Sequence, residues 1–355
     1  MKLSLVMIVK NESKRLARCL ESVKGIVNEI VIVDTGSTDT TKQIAESFNA
    51  KIYHFQWIND FSAARNYALN QSSGDWNLVL DADEYITNDC SAVIKEFMQN
   101  GNHIGRVRIL NQFIDDGEEK HSQSFISRII PRGVFYEGMI HEQIISDLPR
   151  VIINVDVEHD GYIEASNKKE RNLKLLHLAL EKNSKDPYML YKIGNEYTVA
   201  KNYEKADFYF SQCYTLALTN EIYRPMMVVG FLYNLIKISK LEDALKVIDN
   251  EKARLADYPD FRFVSGFFYM ELIFKYPDKY LHLLPLIEKE YETCLALGDS
   301  IQFDGVVGTG TFYASYNLGV FYEVTGNLGK AKEYYLKAAD YGYIPAQKRL
   351  LGYKN

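Results

Sequence analysis

The stretch Glu29-Ile30-Val31-Ile32-Val33-Asp34-Thr35-Gly36-Ser37-Thr38-Asp39 decides the fold of the first part of the chain. Its apolar run, residues 30–33, is continuous rather than alternating, which predicts a central parallel strand covered on both faces. The polar residues 35–39 predict a turn, and Ile44, Ala45 and Phe48 predict a helix after it. Asp34 would then end a strand at the edge where open α/β sheets bind ligands.

The same alternation of strand and helix continues on both sides of this stretch. We predict strands over Leu3–Val9, 51–57 and 76–80, with amphipathic helices between them. This order predicts a doubly wound parallel sheet with right-handed crossovers. Further strands are predicted over 104–113, 125–131 and 151–157 with few helices between them, and the last of these alternates like an antiparallel strand. The predicted class is therefore α/β, with a Rossmann-like mixed sheet.

From residue 166 onward the chain has helical spacing and an internal repeat. The pattern Ile193-Gly194-x-x-Tyr197…Ala206-x-x-x-Phe210 returns as Leu318-Gly319-x-x-Tyr322…Ala331-x-x-x-Tyr335, and Gly230 and Gly266 echo it between them. This pattern resembles tetratricopeptide repeats, whose helix pairs recur about every 34 residues and must stack to bury their faces. We predict two domains, residues 1–165 and residues 166–355, the second all-α.

The amino-acid composition argues against some classes of function. The 355 residues carry 41 Lys and Arg against 47 Asp and Glu, a net charge of −6, which argues against a nucleic-acid binder that works by neutralising phosphates. Aromatic residues make up 13% of the chain, and most of those in the second half are predicted to pack the repeats. The four cysteines are scattered, which favours a reducing, cytoplasmic location. We expect no membrane-spanning segment and no signal peptide.

Four short stretches of the first domain can carry chemistry. Asp81-Ala82-Asp83 closes a predicted strand, where two carboxylates can share Mg²⁺ or Mn²⁺ that bridges a diphosphate, although such a pair can also simply cap a helix. Asp34 can accept hydrogen bonds from a uracil or a ribose, while Ser37 and Asp39 can cap the next helix. Glu12 follows the first strand on the same edge. Arg65 can bind a diphosphate, or form an exposed salt bridge on its helix.

Together these stretches resemble the family 2 glycosyltransferases of the GT-A fold. The resemblance rests on Val-Lys-Asn-Glu at 9–12, Val-Asp-Thr-Gly-Ser-Thr-Asp at 33–39, Asp-Phe-x-x-Ala-Arg-Asn at 60–66 and Leu-Asp-Ala-Asp-Glu at 80–84. It covers residues 1 to about 165. With the helical repeats, the chain looks most like bacteriocin (glycocin) peptide glycosyltransferases of the sublancin type, and also like bacterial glucosyltransferases that extend sugar chains.

The resemblance implies site residues. It implies metal ligands at Asp81, Asp83 and His159, of which the imidazole favours Mn²⁺, although His159 could equally be a hydrogen-bonded loop histidine. Two further segments, Gly138-Met139-Ile140-His141-Glu142 and His159-Asp160-Gly161-Tyr162, also look like the family's. Glu142 is our candidate for the catalytic base, with Glu137 next and His141 beside it; either carboxylate could equally be a surface group. The contacts implied for the nucleotide sugar are Val9, Asn11, Glu12, Asp34, Gly36, Ser37, Arg65, Asn66, Asp81, Ala82, Asp83 and Arg128.

The function that these implications predict is an inverting, metal-dependent hexosyltransferase that uses a UDP-sugar. We expect a peptide Cys or Ser side chain as acceptor, presented by the repeat domain, with a glycan acceptor as the alternative. Two other interpretations stay open: a repeat scaffold with a decayed transferase domain, and a nucleotidyltransferase. Because such repeats often dimerise, a homodimer is also expected.

Overall fold

The computed structural model describes residues 1–115, 118–160 and 166–353. The chain folds as two compact units, Met1–Lys182 and Asn183–Asn355. The first unit thus includes the helix Ser166–Lys182, which the predicted boundary at residue 165 assigns to the second domain. This helix contacts the first unit through Arg171, whose guanidinium lies 5.2 Å from the ring centroid of Phe61. In the part of the chain described, no helix combines the length and the apolar character needed to cross a membrane.

The first unit is built around a mixed sheet. Its strand order is β3-β2-β1-β4-β7-β6-β10-β5, and the first four strands are mutually parallel. This confirms the predicted α/β class and the mixed extension. The strands of this unit are β1 (Leu3–Val9), β2 (Glu29–Asp34), β3 (Lys51–His54), β4 (Trp76–Val79), β5 (Glu84–Ile86), β6 (Ile104–Asp115), β7 (Glu118–Pro131), β8 (Phe135–Glu137), β9 (Gln143–Ile145) and β10 (Arg150–His159).

The last long strand departs from its predicted type. β10 pairs in parallel with β6 and antiparallel with β5, so the prediction of an antiparallel-type strand is correct for one of its two neighbours. The alternation seen in the sequence reflects burial, because Ile153, Val155 and Val157 are buried while Asn154 is exposed. Val151, near the start of the strand, is exposed and departs from the pattern. Strands β8 and β9 form a separate antiparallel hairpin.

Helices cover both faces of this sheet. One apolar cluster packs β1, β4 and β10 against Leu16, Leu20 and Ile94, and a second packs β2 and β7 against Ala68 and Leu69. Burial on both faces explains why the strand run 30–33 is continuously apolar. The helices of this unit are α1 (Leu16–Ser22), α2 (Thr41–Ser47), α3 (Phe61–Gln71), α4 (Ser91–Gln99) and α5 (Ser166–Lys182).

In its described residues, the second unit is helical apart from one two-residue strand, and its helices pack in successive pairs, which confirms the predicted helical repeat region. The pairs are α6 with α7, α8 with α9, α10 with α12 and α13 with α14. The elements of this unit are α6 (Pro187–Val199), α7 (Tyr203–Leu216), α8 (Arg224–Lys237), α9 (Leu241–Glu251), α10 (Pro259–Lys275), α11 (Pro277–Tyr280), a 3₁₀ turn (Leu281–Leu283), α12 (Leu284–Leu297), β11 (Gly305–Val306), α13 (Phe312–Val324), α14 (Leu328–Asp340) and α15 (Ile344–Leu351).

A ring packed on a glycine recurs in this unit. Phe210 lies against Gly194 and Tyr335 against Gly319, as the repeat pattern predicts, and a Cβ added at either glycine would come within 3 Å of the ring. The third pair makes the same contact between Tyr291 and Gly266. The sequence pattern misses this contact because α11 and the 3₁₀ turn are inserted between the two helices, which lengthens the spacing from glycine to ring.

We predict that Gly319→Ala destabilises the second unit. The added methyl group would lie 2.5 Å from Cδ1 of the fully buried Tyr335. Overpacking of this kind costs about 1–3 kcal/mol, more than the roughly 0.5–1 kcal/mol that alanine gains over glycine in a helix. Chemical unfolding followed by circular dichroism should show a lower midpoint.

The matched control is Gly329→Ala in α14. Its added Cβ would meet only Asn327 Oδ1, at 3.8 Å, so this variant should unfold at the wild-type midpoint or above it. Equal midpoints for the two variants would refute the packing explanation.

Candidate active site

Two loops at the carboxyl ends of β1 and β2 are joined by hydrogen bonds. Val9 and Asp34 are partners in the two strands. The Asn11 N–H donates to Ser37 Oγ at 2.9 Å, and Thr38 N–H donates to Asn11 Oδ1 at 2.8 Å. The Glu12 N–H donates to Thr41 Oγ1 at 2.8 Å. Ser37 therefore does not cap α2, as the sequence had allowed; its hydroxyl holds the β1 loop.

The Asp34 carboxylate is buried and organises the β2 loop. It accepts the N–H groups of Gly36 and Ser37 at 3.1 Å. Gly36 has φ +106°, a left-handed value that glycine adopts without strain. These two bonds use part of the carboxylate, which can accept about four in all.

Arg65 joins three motifs that are far apart in the sequence. Asp60 caps α3 by accepting the Ala63 N–H at 2.9 Å, which fixes the turn from which Arg65 projects. The Arg65 side chain is only 9% exposed, so it is not the surface salt bridge that the sequence had left open. Its Nη2 donates to Asp81 Oδ1 at 2.8 Å, and its Nε donates to Glu142 Oε1.

Arg128 extends this group into a cluster of five charged side chains. Its Nη2 donates to Asp81 Oδ2 at 3.1 Å and to Glu84 Oε1. Burial acts to raise the pKa of Asp81, but the two guanidiniums outweigh it and hold that pKa well below the usual range. Burial raises the pKa of Glu84 despite Arg128. We call Arg65, Arg128, Asp81, Glu84 and Glu142 the charge cluster.

The charge cluster has no surplus of positive charge. Two guanidiniums face three carboxyl groups, so even with Glu84 protonated the positive and negative charges only balance. Its polar groups are nevertheless not all satisfied. Within the described ranges, Arg65 Nη1, Arg128 Nε and the hydroxyl of the neighbouring Tyr136 are buried without a hydrogen-bond partner. Buried orphan donors of this kind are uncommon and mark places where a ligand can be bound.

Asp83 and His159 form a second contact at the same strand end. Asp83 Oδ2 lies 3.5 Å from His159 Nε2. The other ring nitrogen, Nδ1, donates to Asn111 Oδ1 at 2.9 Å, which fixes the orientation of the imidazole. Burial acts to lower the pKa of His159, but its interaction with Asp83 raises that pKa above the ordinary value.

Most of the predicted site residues fall into three groups. Asn11, Glu12, Asp34, Gly36 and Ser37 shape the β1 and β2 loops; Arg65, Asp81, Arg128 and Glu142 meet in the charge cluster; Asp83 pairs with His159. Val9 and Ala82 are buried, and Glu137 is exposed on β8. Asp81 faces the arginines, and no three His, Cys, Asp or Glu side chains of residues 1–115, 118–160 and 166–353 are grouped for a metal ion. Gly161 and Tyr162 of the second family-like segment lie outside the described residues.

Sequence reasoning missed three residues of this site. Glu84 stands in the Leu-Asp-Ala-Asp-Glu stretch, but only the turn into β5 shows that it meets Arg128. Asn111 and Tyr136 come from β6 and β8, whose sequences carry no motif. Their partners lie 44 to 70 positions away in the sequence, and the motif around a single residue does not show which distant element packs against it.

Comparison with known proteins agrees with this site. Residues 4–151 match the family described as Glycosyl transferase family 2. The predicted resemblance to family 2 glycosyltransferases is therefore confirmed for this part of the chain, and the match supports a transferase.

Curated relatives match both halves of the prediction. The SPbeta prophage-derived glycosyltransferase SunS of Bacillus subtilis is 30% identical over 211 residues, which cover 56% of this chain and 50% of the relative. A TPR repeat-containing protein of Synechococcus elongatus is 56% identical over 81 residues, 23% of this chain and 20% of the relative. The chain therefore spans half or less of the length of these relatives.

A solved TPR protein, YrrB, aligns with 53% of this chain and 86% of its own at 22% identity and a TM-score of 0.39. An alignment at this score supports no conclusion about function.

We predict that Arg128→Met destabilises the first unit strongly. The substitution leaves the buried Glu84, whose side chain is 4% exposed, without its charged partner. Removing one member of a buried ion pair costs about 3–5 kcal/mol. Urea unfolding should show a clearly lower midpoint.

Lys246→Met in the second unit is the control, because it removes an exposed ion pair with Asp243. Surface pairs contribute little, so this variant should unfold like the wild type. Matching midpoints for Arg128→Met and the wild type would show that the charge cluster is not a stabilising element.

Proposed function

We propose that the protein is an inverting glycosyltransferase that moves a hexose from a UDP-sugar to a Cys or Ser side chain of a peptide. The observation that carries this proposal is the charge cluster, in which Arg65 contacts both Asp81 and Glu142 and so joins three family-like motifs. The match of residues 4–151 to the glycosyltransferase family supports the same class of reaction.

The β1 and β2 loops are the proposed nucleoside site. Asp34 keeps lone pairs beyond the two that its own loop amides use, so it can accept a hydrogen bond from the N3–H of uracil or from a ribose hydroxyl. The loop is held by Asn11 and Ser37 before any ligand binds. Such preorganisation lowers the entropic cost of binding.

A divalent cation fits Asp83 and His159. Their facing donor atoms are 3.5 Å apart, and the bond from His159 Nδ1 to Asn111 resembles the outer hydrogen bonds that orient metal-binding histidines. A cation is needed there because the charge cluster has no surplus positive charge with which to balance a diphosphate. Bound at these two residues, Mg²⁺ or Mn²⁺ would neutralise the charge on the leaving diphosphate. Asp81, committed to two arginines, is left out of this proposed ligand pair.

Glu142 is the proposed base. Arg65 binds its Oε1, and no hydrogen bond to Oε2 occurs among the described residues. Oε2 can therefore take the proton from the acceptor thiol or hydroxyl as the sulfur or oxygen attacks the anomeric carbon. The bond from that carbon to the diphosphate oxygen breaks, its electron pair leaves with UDP, and the configuration inverts. The exposed Glu137 makes no comparable contact with the charge cluster.

The second unit is the proposed acceptor site. Half-buried aromatic rings from successive first helices contact one another there: Tyr233 lies 6.3 Å from Phe267, and Phe263 lies 6.3 Å from Tyr313. The Lys192 ammonium lies 5.1 Å from the ring of Tyr188. Aromatic rings and a lysine are groups that suit contact with an extended peptide that has apolar and acidic side chains. The homodimer and the cytoplasmic location remain predictions.

Sugar transfer tests this function directly. The full chain would be incubated with UDP-glucose, UDP-galactose or UDP-N-acetylglucosamine, Mn²⁺ or Mg²⁺, and synthetic peptides containing Cys or Ser. We expect one hexose per acceptor by mass spectrometry, no transfer in a chelator, recovery on adding Mn²⁺, and loss in Asp83→Asn. NMR of the anomeric proton should show inversion. An absence of both transfer and hydrolysis with every donor would refute the proposal, and modified glycans without modified peptides would move the acceptor to sugar chains.

We predict that Glu142→Gln lowers kcat by about 10²–10⁴-fold, which is the usual contribution of a general base. The amide can still accept from Arg65 but cannot take a proton, so UDP affinity should be retained. Glu137→Gln is the matched control and should leave kcat unchanged. Steady-state kinetics of both variants measure this, and a larger loss in Glu137→Gln would reassign the base.

A further inference from the structure

The segment that carries Glu142 has little support of its own. It is the loop 138–142 of the hairpin formed by β8 and β9, two strands of three residues each. A two-stranded ribbon is marginally stable in water by itself. The position of Glu142 must therefore be fixed by whatever the hairpin packs against.

One face of α3 holds this hairpin at three points. The Phe61 N–H, which has no partner within its helix because it opens the first turn, donates to the Met139 carbonyl at 2.9 Å. Arg65, one turn further along, binds Glu142. Asn66 accepts the Tyr136 N–H through Oδ1 and donates from Nδ2 to the Tyr136 carbonyl, both at 2.8 Å. The three contacts cover the hairpin from its first strand to the end of its loop.

Apolar packing supports the same docking. The side chains of Tyr136 and Ile144, one from each strand, lie in a buried cluster with Ala68 and Leu69 of α3. Ile140 in the loop is 3% exposed. Packing of this kind holds the hairpin against the helix but does not fix its register, because apolar contacts are not directional. Hydrogen bonds are directional and can fix the register of the hairpin, and Asn66 makes two of them.

We infer that Asn66 is a positioning residue, which fixes the hairpin so that Glu142 faces the acceptor, and that it is not a contact of the nucleotide sugar. This inference rests on the proposed function for its catalytic consequence. Asn66 bonds to both the N–H and the carbonyl of Tyr136, which is the pair of hydrogen bonds that a residue of a neighbouring strand would make. With Tyr136 held, the loop can place Glu142 against Arg65, and Arg65 in turn leaves Glu142 Oε2 for the acceptor.

The test compares Asn66→Ala, which removes both bonds, with Asn66→Asp, which keeps the acceptor for the Tyr136 N–H and loses the donor. Because misplacing a catalytic group by about 1 Å can cost about 10²-fold, we expect kcat in Asn66→Ala to fall by about 10–10²-fold, and less in Asn66→Asp. UDP affinity should not change in either. Hydrogen exchange should become faster in the peptide containing Tyr136. Asn70→Ala, an exposed asparagine of the same helix, is the matched control and should behave as the wild type.

Four results would overturn the inference. Unchanged kcat in Asn66→Ala would remove the positioning role, and weaker UDP binding with unchanged kcat would make Asn66 a donor contact. If Asn66→Ala does not fold, an unchanged kcat in Asn66→Asp decides against the inference in the same way. If the wild-type protein transfers no sugar, the proposed function fails. Hydrogen exchange then tests the hairpin contact alone, and unchanged exchange at Tyr136 in Asn66→Ala would refute that contact.

Discussion

The bridge that Arg65 makes between Asp81 and Glu142 is the interaction on which the rest of the site depends. It is a buried guanidinium with a hydrogen bond to a carboxylate on each side, so its positive charge compensates both carboxylates, which would otherwise repel each other. The bridge also joins three elements: the end of β4, the helix α3 and the β8–β9 hairpin. Moving any one of them would leave a buried charge unpaired, which is why the site is defined before a ligand binds.

Local sequence patterns predicted most elements of the fold and most residues of the site. They did not predict which of these residues contact one another. The apolar run 30–33 and the motifs at strand ends indicated the parallel half of the sheet, because a buried strand and its terminal carboxylate are both local features. Glu84, Asn111 and Tyr136 were not predicted because their partners, Arg128, His159 and Asn66, lie far away in the sequence. In the helical unit the contact between Gly266 and Tyr291 was hidden by an insertion that changes the spacing but keeps the packing. An insertion of this kind leaves the packing of the helices unchanged, but it interrupts the regular spacing by which a repeat is recognised in the sequence.

Charge balance connects the architecture to the proposed chemistry. The charge cluster uses both of its guanidiniums on carboxylates, and it therefore provides a rigid frame more than a free positive site. A diphosphate brought to this edge needs a further cation, and Asp83 with His159 offers the donors for one. The proposed division of labour follows: the β1 and β2 loops hold the nucleoside, the Asp83 side holds the cation, and the hairpin on α3 holds the base.

Calorimetric titration of UDP into the full chain, with and without Mn²⁺, shows whether a cation is needed to hold the diphosphate at these strand ends. We expect saturable binding of UDP with Mn²⁺ present, much weaker binding in a chelator, and the same weak binding in His159→Ala whether Mn²⁺ is present or not. Binding of equal strength with and without the ion would contradict the charge argument. No binding of UDP under either condition would contradict the assignment of these strand ends to a nucleotide sugar.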